Sequence, residues 1–281
     1  MAKKAKQPTI DLYTLFCTAF EHFNKRLFGG ALPNVIITMQ RKNKTMGYFS
    51  KNRWADASGQ TFHEIAVNPT YFAGHKLIEV LQTIVHEQCH LWQEEFGTPS
   101  RRTYHNSEWA HKMESVGLMP SSTGKPGGSR TGQTMSDYPI SGGHFLQACT
   151  GLLSTGFDLS WIDRYPACLP VDPSTASPSI GMASVQHFSE HGLDEESFQL
   201  VQEVDGPQDR VDAVEIGTKL NTVLLDVIPN IVLPDSSEAS EVKKKNKVKY
   251  TCGCNNNVWG KPDLSLRCEV CKRSFKTAES D

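Results

Sequence analysis

The run Val85-His86-Glu87-Gln88-Cys89-His90 constrains this chain more than any other feature. It lies within residues 76–96, where Leu77, Ile78, Leu81, Ile84, Val85, Cys89 and Trp92 recur at three- and four-residue intervals. That period predicts one amphipathic helix, ended by Gly97 and Pro99. Residues four apart on a helix share a face, with Cβ atoms about 5–6 Å apart. His86 and His90 can therefore reach one metal ion. Zinc suits them, because it takes imidazole nitrogens tetrahedrally and has no redox chemistry of its own. Glu87, beside the first ligand, is placed as the general base toward a water whose pKa zinc lowers to about 7. Cys89 lies between the two histidines but on the apolar face, and reads as a packed thiol.

A catalytic zinc takes three protein ligands and keeps a fourth position open. His105, His111, His63 and His75 are the candidates for the third. His105 follows the helix stop, and a chain reversal at residues 97–100 would return it to the metal. It is the expected ligand. His111 falls inside the next helix, where a surface or supporting role is the simpler reading.

The surrounding elements read as α+β. Leu12, Leu15, Phe16, Ala19, Phe20, Phe23 and Leu27 predict a helix over 10–28, stopped by Gly29-Gly30. Val35–Met39, Gly47–Ser50 and Glu64–Val67 read as strands, and Lys51 to Thr61 as a turn or loop. Ser107 reads as the N-cap of a helix over Glu108–Val116, closed by Gly117. These elements make a domain over 10–120, extending loosely to 150. Residues 120–143 turn to Gly, Ser, Thr and Pro and read as loop or linker. Within 151–235, Val223–Pro229 and Ile231–Leu233 are short-strand candidates, and the region otherwise has no legible fold.

Of eight cysteines, four cluster as Cys252, Cys254, Cys268 and Cys271. Two thiolate pairs 13 residues apart read as a closed, structural zinc site over 250–276, a zinc ribbon after a charged linker at 236–249. An iron–sulfur site or a redox pair are the alternatives. Tyr250, Val258, Trp259 and Leu266 are the expected ribbon core. The first pair is Cys-x-Cys, one residue shorter than the usual ribbon knuckle. Scattered remaining cysteines and no secretory signal after the basic start favour a reducing, cytoplasmic location. No run of eighteen apolar residues predicts a membrane span.

The net charge of −2 hides an asymmetry. Residues 1–150 carry 16 Lys and Arg against 11 Asp and Glu, residues 151–240 carry 3 against 15, and residues 241–281 carry 10 against 5. Lys243, Lys244, Lys245, Lys247 and Lys249 precede the ribbon, and Lys272 and Arg273 follow its second cysteine pair. Such a patch can neutralise phosphates, although a solvated linker has the same composition. Arg41, Lys42, Lys44, Lys51 and Arg53 can extend the surface, with Phe49 and Trp54 available to stack on bases or to join the core.

The sequence resembles the SprT-like family of zinc metallopeptidases, which includes the Spartan DNA–protein crosslink proteases. The resemblance rests on residues 23–33, Gly47–Ser50, Glu64–Pro69, His86–Gln93, Tyr104–Ala110 and Gly117–Pro120. Thr123–Gly128 and Thr131–Ser136 are similar to bacterial and mobile-element members. It implies a zincin-type metalloprotease fold with His86, His90 and His105 as ligands and Glu87 as base. It further implies protein substrates cleaved in a DNA-dependent way, single-stranded DNA as the favoured partner, and one catalytic and one structural zinc. Tyr104, beside the third ligand, is a candidate to stabilise the oxyanion. Many members have His-Gly where this chain has His105-Asn106. The contrasting reading is a non-proteolytic module whose metal sites are structural and whose ribbon binds DNA or a transcription complex. A structural site has no use for Glu87, which favours the enzyme.

Overall fold

The computed structural model describes residues 6–101, 103–167, 215–228, 231, 233 and 247–277. It divides into two compact units, residues 1–232 and 233–281. The first contains α1 (Pro8–Leu27), β1 (Ile36–Met39), β2 (Gly47–Ala55), β3 (Thr61–Val67), a 3-10 turn (Pro69–Gly74), α2 (Leu77–Phe96), α3 (Ser107–Ser115), β4 (Leu118–Ser121), β5 (Ser136–Pro139), α4 (His144–Leu153) and a short α5 (Leu224–Val227). The second contains β6 (Val248–Thr251), β7 (Asn257–Gly260) and β8 (Lys276–Thr277). The class is α+β, as the sequence predicts.

Helix α2 is the axis of the first unit. Its apolar residues Leu77, Ile78, Leu81, Val85 and Leu91 are buried, and so are Gln82, Gln88 and Gln93. A buried amide is stable only if hydrogen-bonded. Gln88 Nε2 donates to the Phe20 carbonyl of α1 at 2.9 Å, and Gln93 Nε2 to Asn106 Oδ1, ahead of α3, at 2.7 Å. Gln82 Nε2 donates to Asp137 of β5. The helix is therefore enclosed on more than the apolar face that periodicity reveals. At its start, Glu79 Oε2 accepts the Lys76 amide at 2.8 Å.

The sheet has the order β1-β3-β2, with β1 parallel and β2 antiparallel to β3. Strand β2 is an edge and reaches Ala55, so the expected loop over 51–61 shrinks to a turn. Asp56 Oδ1 closes that turn by accepting the amides of Ser58 and Gln60. The expected strand Gly47–Ser50 is its first part; the continuation escapes prediction because it is exposed and the register shifts between Ser50 and Trp54, which breaks the period-2 pattern.

Three other expectations change. Residues 120–143 are not simply a linker, because β4 and β5 pair as an antiparallel hairpin across this Gly-rich stretch. The cap of α3 is Asn106, not Ser107, since Asn106 Oδ1 accepts the Trp109 amide at 3.0 Å. Around Val223 the chain is helical rather than a strand; Val223 only bridges Lys76, and Ile231 and Leu233 lie outside any strand. Helix α4 packs on α1, and Phe145, Cys149, Leu152, Leu220 and Leu224 join the core formed by Phe16, Phe23, Leu81 and Val85.

The second unit is one three-stranded antiparallel sheet in the order β7-β6-β8. Tyr250 is buried and its hydroxyl donates to the Lys261 carbonyl at 2.6 Å. Trp259 is not core, being 64% exposed. Tyr250 pairs with Val258 and Lys249 with Trp259, so strand alternation sends the indole to the face opposite Tyr250. Lys243, Lys244 and Lys245 lie outside the described residues, as does 168–214 of the acidic region. Among the described residues, no helix is long and apolar enough to cross a membrane.

Candidate metal centre

His86, His90 and His105 converge, each offering one nitrogen, with those atoms within 4.8 Å of one another. Helical spacing brings the first two together. His105 returns because the chain reverses after Gly97 and is pinned at both ends of the approach. The His105 amide donates to the Gly132 carbonyl at 2.7 Å, and the Gly132 amide donates back to the His105 carbonyl at 3.1 Å. On the other side Asn106 caps α3 and donates through Nδ2 to the Thr98 carbonyl at 3.2 Å.

The donor set fits zinc. His86 Nδ1 donates to Asp137 Oδ2 at 2.8 Å, and His105 Nδ1 donates to the Gly132 carbonyl at 3.2 Å. A carboxylate and a carbonyl can only accept, so each ring is left with an Nε2 lone pair facing inward. The Nε2 atoms of His90 and His105 are 3.1 Å apart. Two nitrogens at zinc-bond length on one tetrahedral ion would stand about 3.3 Å apart. Burial above all holds His105 down to about 4 and His90 well below its ordinary range, so both rings are neutral at neutral pH.

Beneath the three rings lies Trp109, fully buried, with ring centroids 5.0, 5.3 and 4.3 Å from His86, His90 and His105. It comes from the first turn of α3, so the Asn106 cap that orients the helix also seats the indole.

Glu87 points into the same cleft and is buried. Burial pushes its carboxyl up to about 7, against the opposing pull of His86 and the Phe49 amide. Gly47 of β2 lets the strand lie close to α2 one turn before Glu87, since a Cβ there would stand 2.7 Å from Thr83 Cγ2, while Glu87 Cγ at 3.5 Å would be in ordinary contact. The cleft holds about 1040 Å³, and Lys42, Lys44, Arg53, Arg101 and Tyr104 line it. Asn68 shapes its rim, donating through Nδ2 to the carbonyls of Lys42 and Thr45 at 2.6 and 2.9 Å.

The other candidates lie elsewhere. His63 bonds Glu95 and the Asn52 amide, His75 bonds the Tyr71 carbonyl, and His111 sits on α3 in a shallow depression beside Trp92. Cys89 is buried and its thiol raised well above its usual range by burial, as a packed thiol should be. Phe49 packs half-buried against the core, whereas Trp54 is 43% exposed. Sequence reasoning missed Asp137, Gly132 and Trp109. Only Trp109 left a signal, as an aromatic in the first turn after a cap.

In the second unit, Cys252, Cys254, Cys268 and Cys271 offer sulfurs within 4.8 Å of one another. The amides of Cys271 and Val270 pull the Cys268 thiol down to about 6, so a thiolate forms readily where a metal would need one. Lys247, Lys249, Lys272 and Arg273 surround this cluster in sequence; Lys272 Nζ pairs with Glu269 at 2.6 Å, and Lys249 Nζ lies 6.0 Å from the centre of the Trp259 ring.

The model of the SprT-like family matches residues 17–127. A curated protein of Salmonella typhimurium, described as an uncharacterized protein in the mucB 3' region, is 41% identical over 59 residues, which are 21% of this chain and 80% of that protein. No solved structure matches.

Proposed function

Because the chain belongs to the SprT-like family, we propose that it is a zinc-dependent metallopeptidase of zincin type that hydrolyses DNA-associated proteins. The observation that carries this reading is the convergence of three inward-facing imidazole nitrogens and the buried Glu87 carboxylate on one open cleft. A structural zinc site is closed and has no need of an adjacent base.

When bound by His86, His90 and His105, zinc supplies Lewis acidity toward the scissile carbonyl and an activated water. Glu87 takes the proton of the attacking water and delivers it to the leaving amine. A carboxylate one residue after a ligand and lining the same cleft is placed for both transfers. Tyr104, on the cleft wall, is the candidate donor to the developing oxyanion. Strand β2 runs along the cleft as a sheet edge, to which an extended polypeptide can add through main-chain hydrogen bonds. Such bonds are indifferent to side chains and suit an enzyme with little sequence preference.

The DNA link draws on two basic surfaces. Lys42, Lys44, Arg53 and Arg101 stand at the cleft. Lys243, Lys244, Lys245, Lys247, Lys249, Lys272 and Arg273 belong to the C-terminal segment, whose exposed Trp259 offers a stacking face for an unpaired base. The four cysteines hold the second, structural zinc of a ribbon. The expected setting is the cytoplasm of a bacterium, on a mobile element.

The test is cleavage of a DNA-bound protein with and without single-stranded DNA, comparing wild type with Glu87→Gln at equal zinc content. Wild type should cleave, and the variant should lose about 10²–10⁴-fold. If both are inactive while both bind DNA, the enzyme reading fails. Metal analysis should find one zinc for each cluster, and Cys268→Ser with Cys271→Ser should remove one. A count unchanged by that pair would sink the ribbon.

A further inference from the structure

We propose that Asp137 is the positioning residue of the metal centre, fixing which nitrogen of His86 is free to bind; this rests on the zinc reading above. The geometry leaves the carboxylate one role. Gln82 Nε2 donates to both the Asp137 carbonyl, at 2.8 Å, and Asp137 Oδ1, at 2.7 Å. With two acceptors before it, the Gln82 amide cannot present its oxygen, so Oδ1 must accept. Oδ2 lies 2.8 Å from His86 Nδ1. A group that accepts at both oxygens forces the single proton of the neutral His86 ring onto Nδ1 and leaves Nε2 to the metal. Asp137 and Gln82 are both buried, so water does not substitute for either partner.

An asparagine at 137 cannot satisfy both neighbours. Its amide nitrogen must face either Gln82 Nε2, donor against donor, or His86 Nδ1. In the second case His86 turns to the Nε2–H tautomer and its metal-facing lone pair is lost. The same segment serves His105, whose Nδ1 is held by the Gly132 carbonyl. Residues 132–137 thus orient two of the three histidines, and they lie past the 17–127 match to the family.

The experiment uses the full chain and zinc alone as the probe. In metal-free wild type, at a pH high enough to leave the His86 ring neutral, nitrogen chemical shifts should report the Nδ1–H tautomer; finding Nε2–H overturns the proposal without any variant. Asp137→Asn should bind zinc at the histidine site about 10- to 100-fold more weakly, with the cysteine-bound zinc unchanged. Its His86 should shift toward Nε2–H, which loss of mere packing would not cause. Unchanged affinity and tautomer in Asp137→Asn also overturn the proposal. Failure of the zinc reading itself looks different: His86→Ala with His90→Ala would then leave the wild-type zinc count intact.

Discussion

The Nε2 atoms of His90 and His105 lie 3.1 Å apart, close to the spacing of two nitrogens on one tetrahedral zinc. His105 Nε2 is an acceptor, because its Nδ1 faces the Gly132 carbonyl, and a bound cation would take the place of a proton shared between the two nitrogens. Zinc should therefore stabilise the first unit by linkage, about 4 kcal/mol at a thousandfold excess over its dissociation constant. His105→Ala should lose one zinc per chain and the zinc-dependent rise in Tm of that unit. Calorimetric scans with and without zinc, beside metal analysis, check this. A full zinc-dependent rise in the variant would remove His105 from the ligand set.

Gly47 gives a separate handle on how closely β2 approaches the helix that carries Glu87. A Cβ at this position would lie 3.0 Å from the Ala66 carbonyl as well as against Thr83, so β2 must lift from α2. Gly47→Ala should cost about 1–3 kcal/mol, as overpacking does. Because the strand also shapes the space beside Glu87, turnover should fall further than stability explains, with zinc content unchanged. Denaturant midpoints and kcat measured on the zinc-loaded protein separate the two effects. Full activity in a stable variant would show that the strand does not position the base.

Glu79 predicts how stability responds to pH. It is buried, one carboxylate oxygen has no hydrogen-bond partner, and burial raises its pKa to about 8. The folded chain thus holds the proton between the ordinary carboxyl range and about pH 8, whereas the unfolded chain releases it. By linkage this contribution is fully present below the unfolded value and is lost as pH rises to about 8. The scale is about 1.4 kcal/mol for each pH unit within that window. Glu79→Gln should flatten the decline, and be more stable than wild type near pH 8. Urea titrations at pH 5, 6, 7 and 8 measure it; parallel curves for the two proteins would contradict the assignment.

Local pattern carried much of the site. Four-residue spacing on an apolar-faced run is enough to place His86 and His90 side by side, since helix geometry is fixed by the backbone alone. The helix stop at Gly97 and the histidine that follows were equally legible. Asn106 was harder. Met as a departure from the usual His-Gly, it proves to be the cap of α3, its side chain taking over an amide that the helix start leaves unpaired. The part of the edge strand β2 past Ser50 and the 118–139 hairpin were missed because exposed and Gly-rich strands lack the alternation that a buried face imposes.

By its sequence alone the chain determined the histidine pair, the neighbouring Glu87 carboxylate, the return of His105 after the helix stop and the four-cysteine cluster. All of these are set by short spacings along one backbone. Only the tertiary structure decided that Asp137 meets His86 across 51 residues, that Trp109 underlies all three rings, and that Trp259 faces solvent. Contacts between distant segments depend on strand register and on how elements pack, and no local period encodes either.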